Sequence, residues 1–252
     1  MGCTTTTRIT LGISACLTGS PARFNAGHKH SSLCTEQLGQ WFDLRSFCPE
    51  VASGLGTPRQ PVRLVGEPTA PRAIGTRDPS LDISEALLEY GAAVARAHGD
   101  LCGFILMQKS PSCGMERVPV KGGKAGMPRK VGVGLFAAEL MRRLPLLPVE
   151  EEGRLNDPGL RENFIVRVFA YHRVQQLFAA RELLDEGLAR IESGRPGDPR
   201  VRAIAPSLVD PGSARLLERA ESLLAVFEQA EAEGWRDNAH RLNSVAWFCF
   251  EN

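Results

Sequence analysis

Short apolar runs alternate with helical periodicity along the first 150 or so residues, and this alternation leaves the chain few architectures to adopt. Residues 8–15, 41–47 and 102–109 are apolar runs of strand length. Each is closed by a breaker: Thr18-Gly19-Ser20-Pro21, Cys48-Pro49 and Ser110-Pro111 in turn. Residues 31–40 read as a short helix. Residues 82–97 place Ile83, Ala86, Leu87, Tyr90, Val94 and Ala97 at the spacing of an amphipathic helix. Another helix is predicted at 133–143 and a fourth strand at 144–149. The pattern predicts an α/β fold, a Rossmann-like open and mostly parallel sheet flanked by helices.

After residue 155 the character changes. Phe164, Val168, Tyr171 and Phe178 keep helical spacing, and residues 196–212 form a stretch rich in proline and glycine. Leu216, Leu217, Leu223, Leu224 and Phe227 then mark a second helix, with a third at 238–250. The expected organisation is an α/β domain over residues 1–155 and a helical C-terminal extension over 156–252.

Composition narrows the function. With 43% apolar residues in 252, a sizeable core is available. Basic residues number 30 against 29 acidic, a net charge of +1, which gives no support to a broadly basic nucleic-acid surface. No apolar run approaches the roughly 18 residues of a membrane-spanning helix. Seven cysteines, odd in number and sparse, point to reduced thiols or a metal rather than to a disulfide framework. Met1-Gly2 with Thr6 fits a loose myristoylation pattern, with Cys3 as a second lipid site, and Ile13-Ser14-Ala15-Cys16 resembles a lipoprotein cleavage box. The apolar stretch before Cys16 is thin for a signal core, so the expected location is cytoplasmic.

Cys16, Cys48 and Cys113 each lie at, or just past, the end of a predicted strand. In open parallel sheets those ends border the crevice where ligands bind. Three thiolates there could hold zinc with an open position, or an iron–sulfur cluster with one iron free of protein. They could equally be small buried core residues. Spacing alone does not choose between these, since no Cys-x-x-Cys pair is present. Cys3, Cys34, Cys102 and Cys249 lack comparable surroundings, and Cys102, inside a strand, reads as core.

The words around the three cysteines are more specific. Ile13-Ser14-Ala15-Cys16-Leu17-Thr18-Gly19 is followed by Arg23-Phe24-Asn25-Ala26-Gly27-His28-Lys29. Then come Phe47-Cys48-Pro49-Glu50-Val51, Gly54-Leu55, Pro58-Arg59 and Pro61-Val62-Arg63-Leu64, and finally Lys109-Ser110-Pro111-Ser112-Cys113-Gly114. In this order the set resembles the thiouracil desulfurase family of iron–sulfur desulfidases. The resemblance covers roughly residues 9–136. Residues 156–173, with Leu160-Arg161-Glu162-Asn163-Phe164, resemble the segment that follows the core in longer members; after about residue 176 nothing is matched.

The resemblance implies a [4Fe–4S] cluster held by Cys16, Cys48 and Cys113, with the open iron taking the substrate's sulfur. Water then attacks the ring carbon, the C–S bond breaks and hydrogen sulfide departs, with no net redox change. The implied substrate is a small thiolated pyrimidine: 2- or 4-thiouracil, or a thiouridine nucleotide. Glu50, two residues after Cys48, is the candidate general acid or base. Ser110 and Ser112 flank Pro111 before Cys113 and are candidate donors or proton relays, with Ser110 favoured. Simpler readings are a turn cap for Glu50 and local backbone hydrogen bonds for the serines. His28, Lys29 and Arg23 are candidate substrate contacts, and Arg63 can pair with a carboxylate or anchor an anion. Lys121-Gly122-Gly123-Lys124, with Arg117, Arg129 and Lys130 nearby, forms a cationic loop suited to a phosphate, or simply a surface loop. Gly132-x-Gly134 reads as helix-start packing.

Two other readings keep the same cysteines. One is a zinc-dependent hydrolase, although the paired-cysteine signature of zinc deaminases is missing. The other is a non-catalytic iron–sulfur or zinc sensor whose helical tail binds a partner.

Overall fold

The computed structural model describes residues 8–122 and 127–192, with side chains to residue 179. The chain divides into two compact units, Met1–Ile165 and Val166–Asn252. In chain order the elements of the first are β1 (Ile9–Ser14), β2 (Phe42–Phe47), α1 (Pro49–Ala52), β3 (Val62–Val65), β4 (Arg72–Gly75), α2 (Ser84–Ala97), β5 (Leu101–Leu106), β6 (Val118–Lys121), β7 (Arg129–Gly132), α3 (Leu135–Arg143) and β8 (Val149–Glu151). A last helix, α4 (Pro158–Glu192), begins in the first unit and continues into the second. Among the described residues no helix is long and apolar enough to cross a membrane.

One sheet is wholly parallel, in the order β2-β1-β5-β8. This is the α/β architecture that the alternation of runs predicts. All six residues of β5 are buried, as expected of a strand covered on both faces. β1 pairs residue for residue with β2 from Ile9↔Phe42 to Ser14↔Phe47, and Gly12 and Ile13 lie opposite Phe104 and Ile105 of β5. Gly12 is required by packing: a Cβ there would run into the Phe104 ring. Phe104 in turn meets Phe47 with ring centroids 5.3 Å apart and Phe136 of α3 at 5.7 Å.

A second sheet, β4-β3-β6-β7, was not expected from the sequence. It mixes antiparallel β3–β4 and β6–β7 pairs with a parallel β3–β6 pair. Its strands are four residues each, and β7 is largely exposed, so no long period marks them. α2 and α3 share their apolar residues between the sheets. Phe136 meets, edge to face, Phe104 of the first, while Leu87 and Leu135 join Leu64, Ala73, Val118 and Val120 of the second. Gly91 lets α2 approach α3, since a Cβ there would lie 3.0 Å from the Phe136 carbonyl oxygen.

Three predicted elements differ in detail. The strand read at 102–109 is Leu101–Leu106, so Cys113 lies seven residues past its end. The segment 31–40 is a π turn, Leu33–Gln37, followed by a 3-10 turn, Leu38–Gln40; the Ser31 and Thr35 side chains bond the local backbone there. The last strand is Val149–Glu151 rather than 144–149. Glu150 and Glu151 of this strand, and Glu152 just after it, are all buried.

Two outcomes follow for the stability of the chain. Gly12→Ala overpacks the β1–Phe104 contact and is expected to lower unfolding stability by about 1–3 kcal/mol, read from urea unfolding. The Asp82 carboxyl is held below its ordinary value, chiefly by the Ser84 hydroxyl, and Ser84 also ties β4 to the start of α2. A depressed folded value contributes stability that is present above the unfolded value and lost as pH falls through the folded one. Melting from pH 6 to pH 3 should therefore show the parent ahead of Asp82→Asn by roughly 0.5 kcal/mol at the upper end, the gap closing below about pH 4.

Candidate functional site

Because the first sheet is parallel, its carboxyl ends share one edge, and the three motif cysteines arrive there by three routes. β1 passes into the 3-10 turn Ala15–Thr18, which carries Cys16. β2 ends at Phe47, and Cys48 caps the single turn of α1 in an extended conformation, with Pro49 as its first residue. β5 ends at Leu106 and leads through residues 107–112 to Cys113. All three line one cavity of about 380 Å³.

The thiols are held in common surroundings. Burial pushes the Cys16 thiol up to about 11, with Cys48 adding to the rise. Burial raises Cys48 as well, against the pull of the Arg59 charge, and raises the buried Cys113 furthest. Cys113 responds to Glu50, Cys16 and Cys48 together, so each of the three thiols lies within electrostatic reach of another. Among the described residues no three His, Cys, Asp or Glu side chains form a donor set for a single metal ion. The thiols border a cavity rather than one point.

Glu50 lies on the same cavity wall and is tightly held. Arg59 donates to its Oε2 through Nε at 2.9 Å and Nη2 at 2.7 Å, and the Ser112 hydroxyl donates to Oε1 at 2.9 Å. The structure thus brings Ser112 to the carboxylate and leaves it fully buried behind the cavity. Ser110 lines the cavity itself. Its Oγ accepts the backbone N–H groups of Ser112 at 3.2 Å and Cys113 at 3.1 Å, which leaves its own hydroxyl proton to donate elsewhere. The loop is pinned from behind by α3: Leu135 N donates to Pro111 O, Ala137 N to Ser112 O, and a Cβ on Gly134 would lie 2.5 Å from the Ser112 carbonyl carbon. Gly134 is helix-start packing, as its motif suggested.

The cations divide. Lys29 lines the cavity, but its Nζ is 2.7 Å from Glu152 Oε1, and the other oxygen of Glu152 accepts the Gln108 N–H. Arg23 lines the cavity close enough to Cys16 to favour its thiolate; its guanidinium lies over Phe24 at 5.8 Å and meets no carboxylate among the described residues. His28 is exposed and turned to its own loop, where its Nδ1 accepts the His30 N–H. Lys121 is exposed at the end of β6 in the second sheet and does not line the cavity. Lys124 lies outside the described residues. Arg63 is on β3, its Nε buried without a partner. Cys34 and Cys102 are buried away from the cavity lining, and Cys3 and Cys249 lie outside the described residues.

Two features escaped the sequence reading. Arg59 was visible only as part of a motif, with nothing to show that it reaches back nine residues to Glu50. The glutamates at the end of β8 are the other: Glu152 joins the loops of Cys16 and Cys113, and Glu151 Oε1 accepts the Met115 N–H just beyond Cys113. A run of three glutamates, 150–152, is their only sequence signal.

Ser110→Ala removes the acceptor for two loop N–H groups, a loss comparable to that of a helix cap. It is expected to cost about 0.5–2 kcal/mol in urea unfolding of the chain.

Comparison with known proteins adds three findings. The family model for 2-thiouracil desulfurase matches residues 11–152. The uncharacterized protein YbbK of Bacillus subtilis (strain 168) is 31% identical over 112 residues, which cover 40% of this chain and 71% of that protein. Among solved structures, the [4Fe-4S]-dependent thiouracil desulfidase TudS is 29% identical, the match covering 61% of this chain and 97% of that one with a TM-score of 0.47.

Proposed function

The chain belongs to the 2-thiouracil desulfurase family, and from that premise we propose that it converts a thiolated pyrimidine to its oxo form, releasing hydrogen sulfide, with a [4Fe–4S] cluster held by Cys16, Cys48 and Cys113. The observation that carries the reading is the cavity at the carboxyl edge of the parallel sheet, where three thiols from three strand ends meet one held carboxylate, Glu50. The donor set fits the cluster: soft thiols suit iron, and their spread around a cavity leaves room for a body larger than one ion. When bound, the cluster supplies a soft Lewis acid for the thiocarbonyl sulfur. We assign this unit to residues 1–155, with residues 156–252 as a helical C-terminal extension.

The side chains divide the remaining work. Glu50 presents its carboxylate to the cavity and takes a proton from the water that attacks the carbon bearing sulfur. Ser112 donates to Glu50 and so orients it. Ser110, with its oxygen already accepting from two backbone amides, donates its hydroxyl proton toward a ring oxygen or nitrogen. Arg23 faces an anionic group of the bound reactants. Lys29, committed to Glu152, shapes the wall rather than gripping substrate. The balance is hydrolytic: the water oxygen replaces sulfur on carbon, and its two protons leave with sulfide. A free base such as 2- or 4-thiouracil, or a thiouridine nucleotide, satisfies this chemistry.

The test is anaerobic reconstitution with iron and sulfide, followed by incubation with 2- and 4-thiouracil and assay of both uracil and sulfide. The parent should release the two in equal amounts, and Cys113→Ala should lose iron and activity together. Glu50→Gln should keep its iron while turnover falls about 10²–10⁴-fold. Full activity in Glu50→Gln, or uptake of zinc with refusal of iron, would overturn the reading.

A further inference from the structure

We infer that Arg59 is the positioning residue for Glu50, an inference that rests on the proposed reaction. Glu50 is a flexible side chain on a helix of one turn, and nothing in that turn directs its carboxylate. Arg59 supplies the direction. Its Nε and Nη2 both close on Oε2, while Ser112 holds Oε1. The Arg59 side chain is 6% exposed and that of Glu50 15%, so the pair is held largely out of water. A half-made pair at such a place is costly, which leaves the carboxylate one position.

The guanidinium is itself immobilised. Nη2 also donates to the Ala22 carbonyl at 2.8 Å, Nη1 to Gly56 O at 3.3 Å, and the Arg59 backbone N–H to Phe24 O at 2.7 Å. Ala22 and Phe24 belong to the loop that follows Cys16, Glu50 follows Cys48, and Ser112 precedes Cys113. The series Arg59–Glu50–Ser112 therefore touches the loops of all three thiols and keeps the carboxylate in step with them. The Ala22 carbonyl also accepts the Cys48 thiol at 3.7 Å, so one acceptor ties the Arg59 guanidinium to the loop of Cys48. A lysine cannot substitute, because a point charge lacks the planar fork that reaches Oε2 and Ala22 O at once. Of the other cations on the cavity, Lys29 is committed to Glu152, Arg23 lies over Phe24, and Lys109 is exposed.

The test is a double-mutant cycle with Arg59→Lys and Glu50→Gln on the full chain, read in two ways. On the reconstituted protein, Arg59→Lys should keep the parent's iron per chain and lose about 10-fold or more in kcat, with KM within about threefold. In the Glu50→Gln background the same change should slow the reaction no further, since a residue acting through Glu50 has nothing left to act on. On the cluster-free chain the two losses in melting midpoint should fall short of adding, as interacting partners require. The inference is overturned if Arg59→Lys keeps the parent's kcat, if it slows the Glu50→Gln protein as much as the parent, or if rate falls only in proportion to lost iron. A parent that holds its cluster yet releases no sulfide from any thiolated pyrimidine would instead defeat the functional reading. The melting cycle then decides alone, additive losses overturning the Arg59–Glu50 coupling and non-additive losses supporting it.

Discussion

Parallel pairing of β1 with β2 and β5 is the constraint from which the rest of the site follows. Ser14 lies opposite Phe47, and Ile13 opposite Ile105, so the three strands end almost flush. A strand that must return to run parallel to its neighbour carries its following loop to the same edge every time. The cysteines are thus separated by long stretches of sequence and yet border one cavity. Phe104 against Gly12 helps hold that register, because a shift by one residue would put a side chain where only hydrogen fits.

Such an edge gathers negative charge, and the surrounding residues answer it group by group. Glu50 is matched by Arg59 and Ser112, Glu152 by Lys29 and the Gln108 amide, Glu150 by Arg154, and Glu151 by the Met115 amide. Burial raises the Glu151 carboxyl despite its backbone donors. Each pairing also ties a loop in place, so the electrostatic and the geometric demands are met by the same bonds. Arg23 and Lys109 are the cavity cations that meet no carboxylate among the described residues, and Arg23 lies beside Cys16, where thiolates would bring uncompensated charge.

The two sheets were unequally legible. β1, β2 and β5 are apolar runs with breakers behind them, and α2 and α3 follow a helical period with small residues at their contact. The second sheet is made of four-residue strands whose pairing joins β3 to β6 across more than fifty residues, and no local pattern encodes that. The last strand was displaced in the sequence reading for a related reason. Its burial of three consecutive glutamates depends on partners from elsewhere in the chain, Lys29, Arg154 and the amides of Gln108 and Met115.

Sequence by itself determined the α/β class, the placing of Cys16, Cys48 and Cys113 at strand ends, and the nearness of Glu50 to Cys48. These depend on hydrophobic period, on breakers and on a separation of two residues, all of which are local. Tertiary structure alone decided that Ser112 serves Glu50 while Ser110 faces the cavity, that Lys29 is spoken for by Glu152 and that Lys121 stands apart on the second sheet. It also decided that Arg59 reaches back to Glu50 and to the loop after Cys16. Those choices turn on which charged groups meet away from water, and partners in such meetings are selected by the folded chain's geometry rather than by their order along it.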